Sequence, residues 1–144
     1  MTKPTSCRIE RTVEWADTDA AGHQHNSVIL RWAEACEAEM FRTLGLPEYF
    51  PSAPRVQQCV NYTAKLWFGQ RTTTTVTVEK IGRTSMRFSF EVHGHPFEGR
   101  PCGLAAYGTF VTVHVHPNEA ESRPWPQAYR DKITPAAAVQ TAAV

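Results

Sequence analysis

The chain has 144 residues, 42% of them hydrophobic and 20% charged, and this length and balance predict a single globular domain with one core. Fifteen lysines and arginines against fourteen aspartates and glutamates give a formal net charge of +1, which disfavours a nucleic-acid partner. The longest uncharged run, residues 133–144, is shorter than the ~20 apolar residues of a membrane span, so we expect no membrane segment.

The N-terminal segment and the cysteines bear on the cellular compartment. The first residues lack the apolar stretch of a secretory signal, which is typical of a cytoplasmic protein. The cysteines are widely spaced, at Cys7, Cys36, Cys59 and Cys102. Because they form no C-x-x-C pair of the kind found in zinc sites and redox dithiols, we predict free thiols.

The first predicted elements are a strand and a long helix. Residues 8–15 alternate between apolar and polar side chains, as in a half-buried strand, and a loop rich in Asp, Thr, Gly and Asn follows. Residues 27–44 then take the period of an amphipathic helix, with Ser27 or Asn26 as the predicted N-cap and Gly45 as the stop. Its polar faces are assigned to the charged residues Arg31, Glu34, Glu37, Glu39 and Arg42.

Four more strands are predicted after the helix. Alternation and β-branched residues place them at residues 56–67, 71–81, 86–93 and 104–115. Short turns favour antiparallel pairing, and the helix is the element available to cover the apolar face of the sheet. Residues 1–133 would form this single α+β domain, and residues 134–144 an alanine-rich tail that we expect to be disordered.

One segment carries a family resemblance. Residues 13–42, VEWADTDAAGHQHNSVILRWAEACEAEMFR, combine a strand, a D-T-D-A-x-G loop and a helix with W-x-E-A and E-M-x-R. This combination resembles the acyl-CoA thioesterases of the 4-hydroxybenzoyl-CoA thioesterase type, including the Tol-Pal-associated branch. The resemblance implies an α+β hotdog fold, in which one long helix packs on an antiparallel sheet of about five strands.

The same resemblance implies an activity and a quaternary structure. The expected reaction is hydrolysis of an acyl- or aroyl-CoA thioester to the free acid and CoA, with an acyl carrier protein thioester as the other possible partner. No cofactor is expected, because coenzyme A is part of the substrate. A homo-oligomer is expected, either a dimer or a tetramer.

The resemblance also assigns roles within the loop. Asp19 matches the catalytic carboxylate of the family, as nucleophile or general base, and Asp17 matches a non-catalytic position. Asn26 matches the residue whose backbone N–H polarises the thioester carbonyl. The chemistry agrees, since the first N–H groups of a helix are unpaired and lie at the positive end of its dipole. Gly22 would let the acyl group approach the loop closely.

The histidines are further candidates. His23 and His25 lie near Asp19 in the sequence and are candidate substrate-binding residues, each able to act as a base or to hold water. All six histidines occur as H-x-H pairs, but the sequence fixes no third ligand, so we predict no metal site. His114 and His116 alternate with valines and are assigned to a solvated strand end.

Two other functions stay open at the level of the sequence. A hotdog hydratase or dehydratase would pair a histidine with Asp19, and a non-catalytic protein would bind an acyl thioester or a metal. The candidates for binding the CoA phosphates are Lys65, Arg71, Arg83 and Arg87. The candidates for lining an acyl pocket are Trp15, Trp32, Trp67 and Phe68, although large aromatics are more often core residues.

Overall fold

A five-stranded antiparallel sheet dominates the computed structural model, which describes residues 3–138. The strands are β1 (Ser6–Thr12), β2 (Arg55–Tyr62), β3 (Arg71–Ile81), β4 (Ser85–Gly94) and β5 (Gly103–Val113). They lie in the order β1-β3-β4-β5-β2, so that β1 and β2 form the two edges. The predicted α+β class and the succession of elements are confirmed.

Among residues 3–138, the sheet is accompanied by helices α1 (Asn26–Thr43) and α2 (Gln127–Lys132) and by two short 3-10 turns. Helix α1 covers one face of the sheet, and α2 follows β5. The 3-10 turns, Trp15–Asp17 and Pro47–Ser52, lie just before and just after α1. No helix within residues 3–138 is long and apolar enough to span a membrane.

The core lies between α1 and the inner face of the sheet. The inward residues of β4 are fully or almost fully buried, namely Met86, Phe88, Phe90 and Val92. Phe88 stacks on Phe110 of β5 with ring centroids 4.6 Å apart, and Phe41 of α1 meets Phe88 edge to face. Trp32 is also buried on α1, so this candidate for the acyl pocket is a core residue.

Glu37 does not lie on a polar face of α1, as the periodicity suggested, but is buried at the sheet. Both terminal nitrogens of Arg55 donate to its Oε1 at 3.1 Å, and the Tyr49 hydroxyl donates to its Oε2. Tyr49 also hydrogen-bonds Thr112, and the Arg55 guanidinium lies 4.1 Å from the centre of the Phe110 ring. The helix period misplaced Glu37 because these partners satisfy a charge that would otherwise favour water.

His114 was assigned to a solvated strand end, and this assignment is wrong. After the exposed turn of residues 116–122 the chain returns, and the Arg123 N–H donates to the His114 carbonyl at 2.8 Å. The imidazole is covered by Trp125, with ring centroids 5.1 Å apart, and by Tyr129 of α2. Burial lowers the pKa of His114 below its ordinary value.

The segment after α2 is tied to the beginning of the sheet. Thr5 donates its N–H to the Thr134 carbonyl, and the Thr134 N–H donates to the Thr5 hydroxyl, both at 2.8 Å. The tail predicted to be disordered begins at this residue, and its last part, residues 139–144, lies outside the described residues. All four cysteines are free, as predicted.

Candidate functional site

The loop between β1 and α1 begins with a turn braced by Asp17. Its carboxylate accepts the Glu14 N–H at 2.9 Å and lies 3.7 Å from the guanidinium of Arg31 on α1. Its carbonyl accepts the His25 N–H at 2.7 Å. Asp17 therefore closes the 3-10 turn and fixes it to the helix, which is the capping role that Asp favours near helix starts.

Asp19 occupies the tight turn that follows. Its N–H donates to the His23 carbonyl, its carbonyl accepts the Gly22 N–H, and both distances are 3.0 Å. Its Oδ1 accepts the Ala21 N–H at 2.8 Å, whereas its Oδ2 has no hydrogen-bond partner among residues 3–138. Gly22 has a φ of +88°, which an L side chain rarely adopts, so a glycine is needed to close this turn. The turn holds one carboxylate oxygen and leaves the other available.

The N-terminus of α1 is capped by His25 rather than by Asn26 or Ser27. The His25 Nδ1 accepts the Ser27 N–H at 3.1 Å, and helix α1 starts at Asn26. The Asn26 N–H makes no hydrogen bond within the described part of the chain, as expected for the first turn of a helix. The Tyr62 hydroxyl at the end of β2 donates to the Asn26 carbonyl at 2.8 Å.

Asp19 and Asn26 line the same depression, which we call the polar cleft. It encloses about 460 Å³ and lies between the loop and the end of β2. Its lining residues are Asp19, His23, Gln24, Asn26, Tyr62, Thr63, Ala64 and Lys65. The cleft thus brings together the predicted residues Asp19, Asn26 and His23, whereas the ring of His25 caps the helix and is not part of the lining.

A second depression meets the first at Asp19, and we call it the aromatic pocket. It encloses about 420 Å³ and is lined by Trp15, Thr18, Asp19, Ala20, Gly22 and Phe68. Gly22, predicted to border the substrate, lies here, and no described atom outside residues 21–23 lies within 4 Å of the position of an added Cβ. The loop therefore presents a bare backbone to this pocket.

Gln24 holds the loop against the segment that follows β2, and sequence reasoning missed it. It is buried, its N–H donates to the Leu66 carbonyl at 2.9 Å, and its Oε1 accepts the Leu66 N–H at 2.7 Å. Residues 63–67 were predicted to continue the strand, but they leave β2 to make these bonds. Tyr62 and Thr63 were missed for the same reason, since alternation does not reveal where a strand ends.

Of the four basic residues considered for the CoA phosphates, Lys65 lies in the polar cleft. Arg71 is paired with Glu10 at 2.7 Å, and Arg83 and Arg87 lie at the far end of β3 and β4. Arg100 was not considered, yet its guanidinium lies 4.5 Å from the centre of the Trp67 ring, in a depression next to Lys65. Lys65 therefore lines the site itself, and Arg100 lines the adjoining depression.

The H-x-H pairs have separate contacts. His93 pairs with Glu91 at 3.0 Å, and His95 contacts the Thr73 hydroxyl at 2.7 Å. Within residues 3–138, no group of three or more His, Cys, Asp or Glu side chains is arranged to hold a metal ion. The site contains a carboxylate and a helix N-terminus, which together can act on a carbonyl group.

Solved structures share this architecture. A predicted thioesterase from Bacillus stearothermophilus is 27% identical, with a TM-score of 0.77 over 89% of this chain and 93% of that one. The 4-hydroxybenzoyl-CoA thioesterase of Pseudomonas sp. strain CBS-3 is 18% identical, with a TM-score of 0.79 over 88% and 98%. A 1,4-dihydroxy-2-naphthoyl-CoA thioesterase from Synechocystis is 20% identical, with a TM-score of 0.76 over 89% and 95%. At such low identity the last two establish the fold alone.

The family is established by a match along the sequence. The family model described as the thioesterase-like superfamily matches residues 13–133, whereas no curated protein is significantly similar. The hotdog fold and the resemblance to thioester-hydrolysing enzymes are thereby confirmed. Because the match starts before the Asp19 loop and ends after α2, it includes every element of the site, and the chain belongs to the thioesterase-like superfamily.

Proposed function

We propose that this protein is an acyl-CoA thioesterase that hydrolyses an acyl- or aroyl-CoA thioester to the free acid and CoA. One observation carries the proposal: Asp19 and Asn26 line one cleft at the N-terminus of α1, and within residues 3–138 the Asp19 Oδ2 and the Asn26 N–H have no hydrogen-bond partner. Thioester hydrolysis needs a group that attacks or deprotonates and a donor for the developing oxyanion. The family to which the chain belongs supports the same reaction.

The geometry allows two routes that share one arrangement of the substrate. The thioester carbonyl oxygen accepts the Asn26 N–H, at the positive end of the dipole of α1, and its carbon faces Asp19. In the first route Oδ2 attacks the carbon and CoA leaves as a thiolate that takes a proton from solvent. Water then hydrolyses the mixed anhydride and restores Asp19. In the second route Asp19 takes a proton from an attacking water and returns it to the leaving sulfur.

Other residues of the cleft serve binding. Lys65 and Arg100 supply the positive charge for the CoA phosphates. The named relatives from Pseudomonas and Synechocystis act on CoA thioesters, which favours CoA over an acyl carrier protein. The His23 Nδ1 lies 3.2 Å from the Gln24 carbonyl and the His25 Nδ1 accepts the Ser27 N–H. Within residues 3–138 neither ring hydrogen-bonds Asp19, which favours hydrolysis over a hydratase reaction. The cytoplasmic location and the oligomer stay predictions.

The test is CoA release from a panel of aromatic and aliphatic acyl-CoAs, followed with a thiol-reactive dye. Asp19→Asn keeps the size of the side chain but removes the nucleophile and the base, so we expect kcat to fall by ~100-fold or more. Asp17→Asn is the matched control, because Asp17 braces the loop and lies outside the cleft lining. Folded Asp17→Asn protein should therefore keep most of the turnover.

Two outcomes would contradict the proposal. Equal turnover in the wild type and in folded Asp19→Asn protein would exclude Asp19 from the chemistry and direct attention to His23. Absence of CoA release from every thioester, together with hydration of crotonyl-CoA, would establish the hydratase alternative instead.

A further inference from the structure

Two large, solvent-exposed aromatic side chains lie in the same pocket as the candidate catalytic carboxylate. Trp15 is 81% exposed and Phe68 is 58% exposed, and both line the aromatic pocket next to Asp19. A single exposed aromatic side chain is common on protein surfaces. Two that line one pocket indicate a site where a bound ligand buries the apolar surface. The core does not account for them, because neither belongs to the buried cluster beneath α1.

The backbones that carry these two side chains are joined to each other. Val13 donates its N–H to the Gln70 carbonyl and accepts the Gly69 N–H at its own carbonyl, both at 2.8 Å. The Trp15 carbonyl accepts both the N–H and the hydroxyl of Thr18, at 3.0 and 2.7 Å. Trp15 and Phe68 are therefore presented by a connected scaffold rather than by independent loops.

The two depressions that meet at Asp19 differ in chemistry. The polar cleft offers the hydroxyls of Tyr62 and Thr63 and the ammonium of Lys65, which suit the amides and phosphates of a CoA arm. The aromatic pocket offers two aromatic rings, and Asp19 is its one charged residue, at the border. A thioester centred at Asp19 would place its polar arm in the first depression and its acyl group in the second.

We propose that Trp15 and Phe68 bind the acyl group of the substrate and select thioesters of aromatic or bulky apolar acids over acetyl thioesters. The proposal rests on the proposed thioesterase function and adds the substrate class and the side of Asp19 on which the acyl group lies. The side chains pack against the apolar acyl group, and the bare backbone at Gly22 leaves room for it.

The test compares kcat/KM for benzoyl-CoA and acetyl-CoA in the wild type, Trp15→Ala and Phe68→Ala. We expect the benzoyl-to-acetyl ratio to fall about tenfold in each variant, the size of effect that one lost apolar contact has on discrimination. Both side chains are exposed, so their truncation leaves the core intact. Phe50→Ala is the matched control, since Phe50 is 46% exposed but lies beyond the C-terminal end of α1, and it should leave the ratio unchanged.

A binding measurement makes the outcome independent of turnover. Benzoyl-CoA is titrated by calorimetry into the inactive Asp19→Asn protein, with and without Trp15→Ala. Weaker binding in the double variant supports the acyl site even if no thioester is hydrolysed, in which case the thioesterase proposal alone fails. Equal binding overturns the assignment of Trp15, and an unchanged benzoyl-to-acetyl ratio in both active variants overturns the assignment of Trp15 and Phe68.

Discussion

Glu37 shows how burial alters a single carboxyl group. Desolvation raises its pKa above the ordinary value of 4.5, although the positive charge of Arg55 and the hydrogen bond from Tyr49 act in the opposite direction. The folded protein therefore binds this proton more tightly than the unfolded chain does. It follows that the stability tied to Glu37 is present below pH 4.5 and is lost as the pH rises through the higher pKa of the folded state.

Replacement of Glu37 by Gln removes this titration. We expect the wild type to lose free energy of unfolding relative to Glu37→Gln as the pH rises above 4.5. The variant also removes the charged partner of Arg55. For a buried ion pair we expect this loss to lower the free energy of unfolding by ~3–5 kcal/mol. Urea unfolding at a series of pH values measures both effects. Glu39→Gln, at an exposed position of the same helix, is the control, and parallel curves for wild type and Glu37→Gln would contradict the expectation.

Single residues also show where sequence patterns fail. The spacing of apolar and polar residues predicted that Glu37 and His114 are exposed to solvent. It gives no information on the Arg55 and Tyr49 partners of Glu37, or on the later segment whose Trp125 covers His114. The roles of Asp19 and Asn26 came from a resemblance, and the structure brings both residues to one cleft. Local sequence thus predicts a residue's neighbours along its own element and misses those supplied by distant parts of the chain.

At the scale of elements, the order and type of the strands and of α1 were predictable, whereas only some of their ends were. Residues 71–81 alternate and are rich in β-branched residues, and β3 has these bounds. Alternation also continues past Tyr62, yet the ladder stops there, since Thr63 and Ala64 both donate to the Ala105 carbonyl and Leu66 pairs with Gln24. The site lies at this departure from the regular strand, which explains why its lining was only partly predicted.

The link between β2 and α1 leads to a prediction about Tyr62. Its hydroxyl donates to the Asn26 carbonyl and so holds the first turn of α1, whose N–H we propose as the donor to the thioester carbonyl. Tyr62→Phe should lower stability by ~1 kcal/mol, as for an average lost hydrogen bond, and should lower kcat more than it changes KM. Steady-state kinetics and thermal unfolding measure these effects.

Tyr107→Phe is the control for Tyr62→Phe, because Tyr107 is a half-exposed tyrosine on the outer face of β5, away from the polar cleft. A Tyr62→Phe variant with wild-type kcat would show that this hydrogen bond does not position Asn26.

At the scale of the whole molecule, β2 is an edge strand and carries the exposed Val56 and Tyr62. An open edge with apolar side chains favours pairing with another chain. We expect a homodimer formed edge to edge through β2, which would bring a second copy close to the polar cleft, since Tyr62 belongs to both the strand and the cleft. Light scattering at micromolar concentration measures the mass.

A charge at this edge should weaken the dimer. Val56→Lys is expected to shift the protein toward monomer and to reduce turnover, since lysine on an edge strand opposes pairing. Val56→Thr keeps the β-branched shape without a charge and should stay dimeric. A wild-type protein that is monomeric at micromolar concentration would contradict the expected dimer.

The paired hydrogen bonds between Thr5 and Thr134 have a consequence for how the polypeptide can be connected. These residues are 129 positions apart in the sequence, yet their backbones are in direct contact. A short glycine-rich linker can therefore join the chain near them, and new ends can be opened between Asn118 and Glu119 in the exposed turn. Such a circular permutant would retain every strand pairing of the sheet and the Asp19 loop. Its new termini would lie in the exposed turn that follows β5.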